Sequence, residues 1–140
     1  MVVKSENLKD YFSKRADVAF AFLYGSYANG TATKLSDVDV AIYFYPHDKR
    51  HIEFEDETYH KNEDAIWADL EHIAKKEVEL LVLNRAPATV AASAIRGVPL
   101  AINDWRLYLR FMEIITAVAE DFSEFLVNDY MEKHGLKKRD

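Results

Sequence analysis

The sequence predicts an α/β (α+β) domain, a short mixed β-sheet backed by helices with a long helix at its C-terminal end. Three observations carry this. Short apolar runs without helical periodicity, the clearest at residues 18–24, read as strands buried on both faces. Between and after them lie segments with apolar residues three and four apart, at residues 62–74 and 104–133. Gly25, Pro46, Pro87 and Gly97 stand where one kind of segment gives way to another. With 140 residues the chain is expected to form one domain, its core at about 5–103 and its last helix at about 104–133.

The elements follow in order. Ser5 is placed to cap a first helix carrying Leu8, Tyr11 and Phe12 on one side. Val18–Tyr24 is the first strand, and Gly25 breaks it. Asp37 to Tyr45 is the second strand, ended by Pro46. Residues 47–59 are polar and mixed in charge, and predict a surface loop. Asn62 or Glu63 begins a helix with Ile66, Trp67, Leu70, Ile73 and Ala74 at helical spacing. Glu77 to Leu83 is the third strand. Pro87 opens a short helix through Ile95, and Gly97 ends it. Val98 to Ile102 is a short strand, and Asn103 or Asp104 caps the final helix.

On that helix Trp105, Tyr108, Met112, Ile115, Ala119, Phe122 and Leu126 form one apolar stripe. Leu107, Phe111, Ile114, Val118 and Phe125 form a second set off it. A helix apolar on two sides buries both, either deep within its own domain or with one side against another chain. Homo- or hetero-oligomerisation through this helix is the second alternative.

Composition excludes several classes of function. The net charge of −6 argues against direct nucleic-acid binding, which needs a basic surface. The tail Lys137-Lys138-Arg139 is short and reads as a solvated terminus. No apolar run is long enough to span a membrane. The chain has no cysteine, hence no disulfide and no thiolate metal site, and no signal-peptide pattern at its start. A cytoplasmic location is the default expectation. None of the five histidines finds a ligand partner in the sequence: His47 and His51 are four apart but lie in the polar loop.

The chemistry lies in the stretch GSYANGTATKLSDVDVAIYF, residues 25–44. Gly25 tolerates positive φ and lets another group approach the backbone. Ser26 offers a hydroxyl and an N–H at the start of a short helical segment, where unpaired N–H groups bind phosphate oxygens. Side chains alternate along a strand, so Asp37, Asp39, Ala41 and Tyr43 share one face and Val38, Val40, Ile42 and Phe44 the other. The two carboxylates then stand about 7 Å apart along the strand. They repel each other and are costly to desolvate unless a divalent cation bridges them. Carboxylates plus substrate phosphates are the ligands Mg²⁺ prefers. A P-loop is excluded. Gly25 and Gly30 have its spacing, but Thr31-Ala32 stands where Lys-Ser/Thr is required. On the third strand Glu77 lies at the solvated entry, whereas Glu79 lies deeper, between Val78 and Leu80. A carboxylate there requires a partner: a metal, or a lysine such as Lys75 or Lys76.

This pattern resembles the minimal nucleotidyltransferases of the polymerase-β-like superfamily, with their GS-x10-DxD signature. With EVELLVLNRAP and IRGVPLAIND added, the chain more closely resembles the MntA-type antitoxins of HEPN/MNT toxin–antitoxin systems, over roughly residues 17–125. The resemblance implies a nucleotidyltransferase fold and transfer of AMP from ATP to a hydroxyl, here a tyrosine of a cognate HEPN ribonuclease toxin. It implies that Asp37, Asp39 and Glu79 ligate two Mg²⁺ ions and that Gly25 and Ser26 bind the ATP phosphates. Two departures stand out. Asn29 replaces an arginine common in relatives, and Glu79 stands where they carry a third aspartate. The alternatives are a small-molecule nucleotidyltransferase of the aminoglycoside-modifying kind and a non-catalytic antitoxin acting by complex formation.

Overall fold

The computed structural model describes residues 5–48 and 51–133, with the side chains of residues 122–133 excepted. The elements are α1 (Ser5–Ser13), β1 (Val18–Tyr24), α2 (Ser26–Asn29), β2 (Val38–Phe44), α3 (Glu63–Ala74), β3 (Val78–Val82), α4 (Ala88–Ala94), β4 (Val98–Ile102) and α5 (Trp105–Lys133). Every element expected from the sequence is present, with ends shifted by a residue or two.

The four strands form one sheet in the order β3-β2-β1-β4. β1 is antiparallel to both β2 and β4, and β2 is parallel to β3, so the sheet is mixed. The parallel pair needs a crossover, supplied by the segment that ends in α3. Pro99 is tolerated because β4 lies at the edge of the sheet.

Helices cover both faces, which is why β1 is apolar throughout and β2 is apolar except at Asp39. On one face Val38, Val40, Ile42 and Phe44 pack with Leu8 and Phe12 of α1 and Ile66, Leu70 and Ala74 of α3. On the other Phe20, Phe22, Ala41 and Tyr43 pack with the alanines of α4 and with Phe111 and Ile115 of α5. A bulge after Val18 lets Ala19 and Phe20 both join this second layer, out of strict alternation. Aromatic rings fill its centre. Phe20 stacks on Tyr43 at 4.9 Å, and Phe111 lies against Tyr43 at 4.5 Å and Phe20 at 5.4 Å.

Polar side chains close the ends of the layers. Asp104 caps α5, its Oδ1 accepting from the Leu107 N–H at 2.9 Å. Asn103 instead ties α1 and β1 to the end of β4, its Nδ2 donating to the carbonyls of Phe12 (2.9 Å) and Val18 (3.0 Å). Trp67, expected in the apolar stripe of α3, is 46% exposed, and its Nε1 donates to the Val78 carbonyl at 2.7 Å.

The two apolar sets of α5 are not two sides. At about 100° per residue, Leu107, Tyr108, Phe111, Met112, Ile115, Val118 and Ala119 fall within a single arc of about 140°, with Ile114 and Trp105 about 20° beyond its two ends. That arc packs on the second layer, with Phe111 and Ile115 fully buried. Trp105 and Leu109 lie at its outer edge and are 60% and 49% exposed. The side chains of Phe122, Phe125 and Leu126 lie outside the described residues, as do His134 and the basic tail. Among the described residues no helix is long and apolar enough to cross a membrane.

Phe111→Ala removes the ring that joins α5 to the sheet and should lower unfolding stability by about 3–5 kcal/mol. Urea denaturation measures it. A loss below about 1 kcal/mol would contradict the packing described.

Candidate active site

The Gly-Ser turn and the carboxylates meet at one end of the sheet. Gly25 ends β1 with φ 70° and ψ −150°, a region open almost only to glycine. A Cβ on Gly25 would lie 2.2 Å from Asp39 Oδ2 and 3.1 Å from Asp39 Cγ. The Asp39 carboxylate therefore occupies the space that any other residue at position 25 would fill.

Register carries the arrangement across the sheet. Tyr24 of β1 pairs with Asp39 of β2, and Asp39 pairs with Glu79 of β3. The three side chains form a transverse row, and Asp37 stands just before β2, exposed. Glu79 is exposed too, contrary to the expectation that it lies deep. β3 is an edge strand, so a position flanked by Val78 and Leu80 still opens to solvent. Neither Lys75 nor Lys76 pairs with it among the described residues. Lys76 instead donates to the Lys34 carbonyl at 3.0 Å and lies over the Tyr27 ring, 5.4 Å from its centroid.

Electrostatics record the crowding. Burial, then the Glu79 charge and carboxyl, then Asp37, push the Asp39 carboxyl above its ordinary range. Burial, then Asp39 and Glu79, push the Tyr24 hydroxyl up to about 12. Among the described residues no lysine or arginine forms an ion pair with Asp37, Asp39 or Glu79. Among the described residues the oxygens of Asp37, Asp39 and Glu79 do not all come within 4.8 Å of one another; their oxygen-only donor set is of the kind Mg²⁺ takes when phosphate and water ligands complete its shell.

α2 follows directly. The Gly25 carbonyl accepts from the N–H groups of Ala28 and Asn29, both at 3.1 Å. The N–H groups of Ser26 and Tyr27 precede this first turn. Asn29 is occupied locally, its Oδ1 accepting from the Thr31 N–H (3.1 Å) and hydroxyl (2.6 Å). Beside the Gly-Ser turn lies a pocket of about 390 Å³ lined by Tyr24, Gly25, Asn29, Ser93, Arg96 and Val98, among others. The sequence does not single out Arg96, because the turn after α4 is far from the Gly-Ser motif along the chain. Gly97 brings it close. A Cβ there would meet the Leu23 carbonyl oxygen at 2.1 Å, so only glycine lets this turn pack on β1.

A profile of the family described as "Polymerase beta, Nucleotidyltransferase" matches residues 6–105. The chain belongs to this family. Solved structures with the same fold include a chain from a toxin–antitoxin complex with AMP-PNP. It is 16% identical with a TM-score of 0.63, over 89% of this chain and 98% of that one. A chain of a mutant MntA–HpeT toxin–antitoxin complex is 16% identical with a TM-score of 0.63, over 90% and 94% of the two chains. A third chain comes from the complex of a tri-AMPylated Shewanella oneidensis HEPN toxin with an MNT antitoxin. It is 13% identical with a TM-score of 0.61, over 91% and 99%. No curated protein matches the sequence.

The contact between Gly25 and Asp39 can be measured as a coupling. Gly25→Ala should cost about 2–4 kcal/mol in the wild type, from backbone strain plus displacement of the carboxylate. In an Asp39→Ala background only the strain of about 1–3 kcal/mol should remain. Equal costs in both backgrounds would show that the two residues do not meet.

Proposed function

We propose that the chain is an antitoxin-type adenylyltransferase that transfers AMP from ATP to a tyrosine hydroxyl of a cognate HEPN ribonuclease toxin, with Mg²⁺ bound at Asp37, Asp39 and Glu79. The observation that carries the reading is the Asp39 carboxylate seated against the Gly25 backbone and paired in register with Glu79, in a chain of the nucleotidyltransferase family. Bound there, Mg²⁺ would neutralise phosphate charge and make the acceptor hydroxyl more acidic. The chain's own residues supply the rest. The N–H groups of Ser26 and Tyr27 at the start of α2 would receive phosphate oxygens. Arg96, across the pocket, would provide the positive charge that Asn29 does not. The acceptor oxygen attacks the α-phosphorus, the bond to the β-phosphate bridging oxygen breaks, and pyrophosphate leaves. Glu79, exposed on its edge strand, would either ligate the metal that activates the acceptor hydroxyl or take its proton.

The same exposure supports a protein acceptor. Small acceptors are held in concave pockets between substantial elements. Here α4 and β4 flank the phosphate side, and Glu79 faces solvent on the other. A pure binding role would give no reason to keep like charges in a row that raises the Asp39 pKa.

Mass spectrometry of a co-expressed HEPN partner should show AMP added on tyrosine, absent with Asp39→Asn and with Glu79→Gln. Arg96→Ala should raise the KM for ATP about tenfold, a loss of roughly 1.4 kcal/mol. Asn29→Ala should change it little. An unmodified partner, together with efficient nucleotidylation of an aminoglycoside by the isolated chain, would overturn the reading.

A further inference from the structure

The loop between β2 and α3 brings two histidines and a carboxylate together at the other end of β2. Asp39 and Phe44 are five residues apart, so the two regions are separated by about 17 Å along the strand. The loop is not the simple surface excursion its composition suggests. Glu53 and His60 are 7% and 6% exposed, and Ile52 and Phe54 pack on the second core layer.

Within the loop, His47, Glu53 and His60 bring one ligand atom each to within 4.8 Å of one another. His47 Nδ1 lies 3.3 Å from Glu53 Oε2, and His60 Nε2 lies 3.4 Å from Glu53 Oε1. Two atoms about 2.0–2.1 Å from a tetrahedral ion are about 3.3 Å apart, the same spacing. Among the described residues the buried His60 Nε2 finds no well-aligned hydrogen-bond partner.

The carboxylate between the two rings is held in place. Glu53 Oε1 accepts from Asn84 Nδ2 at 2.8 Å, and Oε2 accepts from the His47 N–H at 3.0 Å. The Tyr43 hydroxyl accepts from the Glu53 N–H at 2.9 Å. His60 is oriented by stacking on Phe44, with centroids 4.6 Å apart. Such fixed supports are what ligands of a transition metal have. Two imidazoles and one carboxylate favour Zn²⁺ and its neighbours over Mg²⁺, and three protein ligands leave a fourth position for water beside the exposed His47.

We propose that His47, Glu53 and His60 form a binding site for a divalent transition metal of the Zn²⁺ class, which fastens the loop before α3 to the end of β2. The site does not depend on the activity proposed above.

The test uses full-length, chelator-treated protein carrying Asp37→Asn and Asp39→Asn, so that the carboxylate row does not compete. Calorimetry should find one Zn²⁺ bound per chain, and Co²⁺ should give the visible bands of a four-coordinate site. A tenfold excess of Zn²⁺ should raise Tm by about 5 °C or more, with no rise from Mg²⁺. His47→Ala should weaken binding about tenfold or more, and adding His60→Asn should abolish it. His47 is exposed, so far-UV circular dichroism of His47→Ala should be unchanged. No stoichiometric Zn²⁺ uptake, or uptake that His47→Ala leaves unaltered, would overturn the proposal.

Discussion

The Asp39 carboxylate lies where the first side-chain atom of residue 25 would be. This contact is the constraint on which the site depends. It requires glycine at the end of β1, in a conformation that other residues rarely adopt. It forces the chain to turn away from the sheet at once, so that α2 begins next to the carboxylates. Steric exclusion thus brings the start of α2 and the Asp39 carboxyl of β2 together.

The sheet supplies the rest of the geometry. Among the described strands, β2 alone has a parallel neighbour on one side and an antiparallel one on the other. Its position next to β3 aligns Asp39 with Glu79, and its position next to β1 aligns Asp39 with Tyr24. Two helical layers bury β1 and β2 and hold them rigid, while β3 at the edge leaves Glu79 open to a second molecule. The core thus fixes the inner carboxylate, and the sheet edge leaves the outer one accessible.

Much of this is legible along the chain. Val18–Tyr24 is a continuous apolar run, and its bounds as a strand are those the run suggests. The alternation in Val38–Phe44 divides its side chains correctly between the two layers. What is not legible depends on distant partners. The exposure of Glu79 follows from its strand being an edge, which local sequence does not encode. On α5 the two apolar sets form one broad face by their angular positions, and which of its residues are buried follows from packing on the sheet. His47, Glu53 and His60 lie in an irregular loop without periodicity, so nothing in their spacing marks them as neighbours. Arg96 reaches the Gly-Ser turn only because Gly97 packs on the Leu23 carbonyl.

The protein therefore has two polar centres at opposite ends of β2, an acidic row at the start and a histidine–carboxylate cluster past its end. The central claim concerns the first: the carboxylate row and the Gly25 turn form one metal–nucleotide site. The most direct test is calorimetry of ATP with and without Mg²⁺, on the wild type and on Asp37→Asn/Asp39→Asn. The account predicts saturable binding only with Mg²⁺ and only in the wild type. Equally tight binding without metal, or binding unchanged in the double variant, would contradict it.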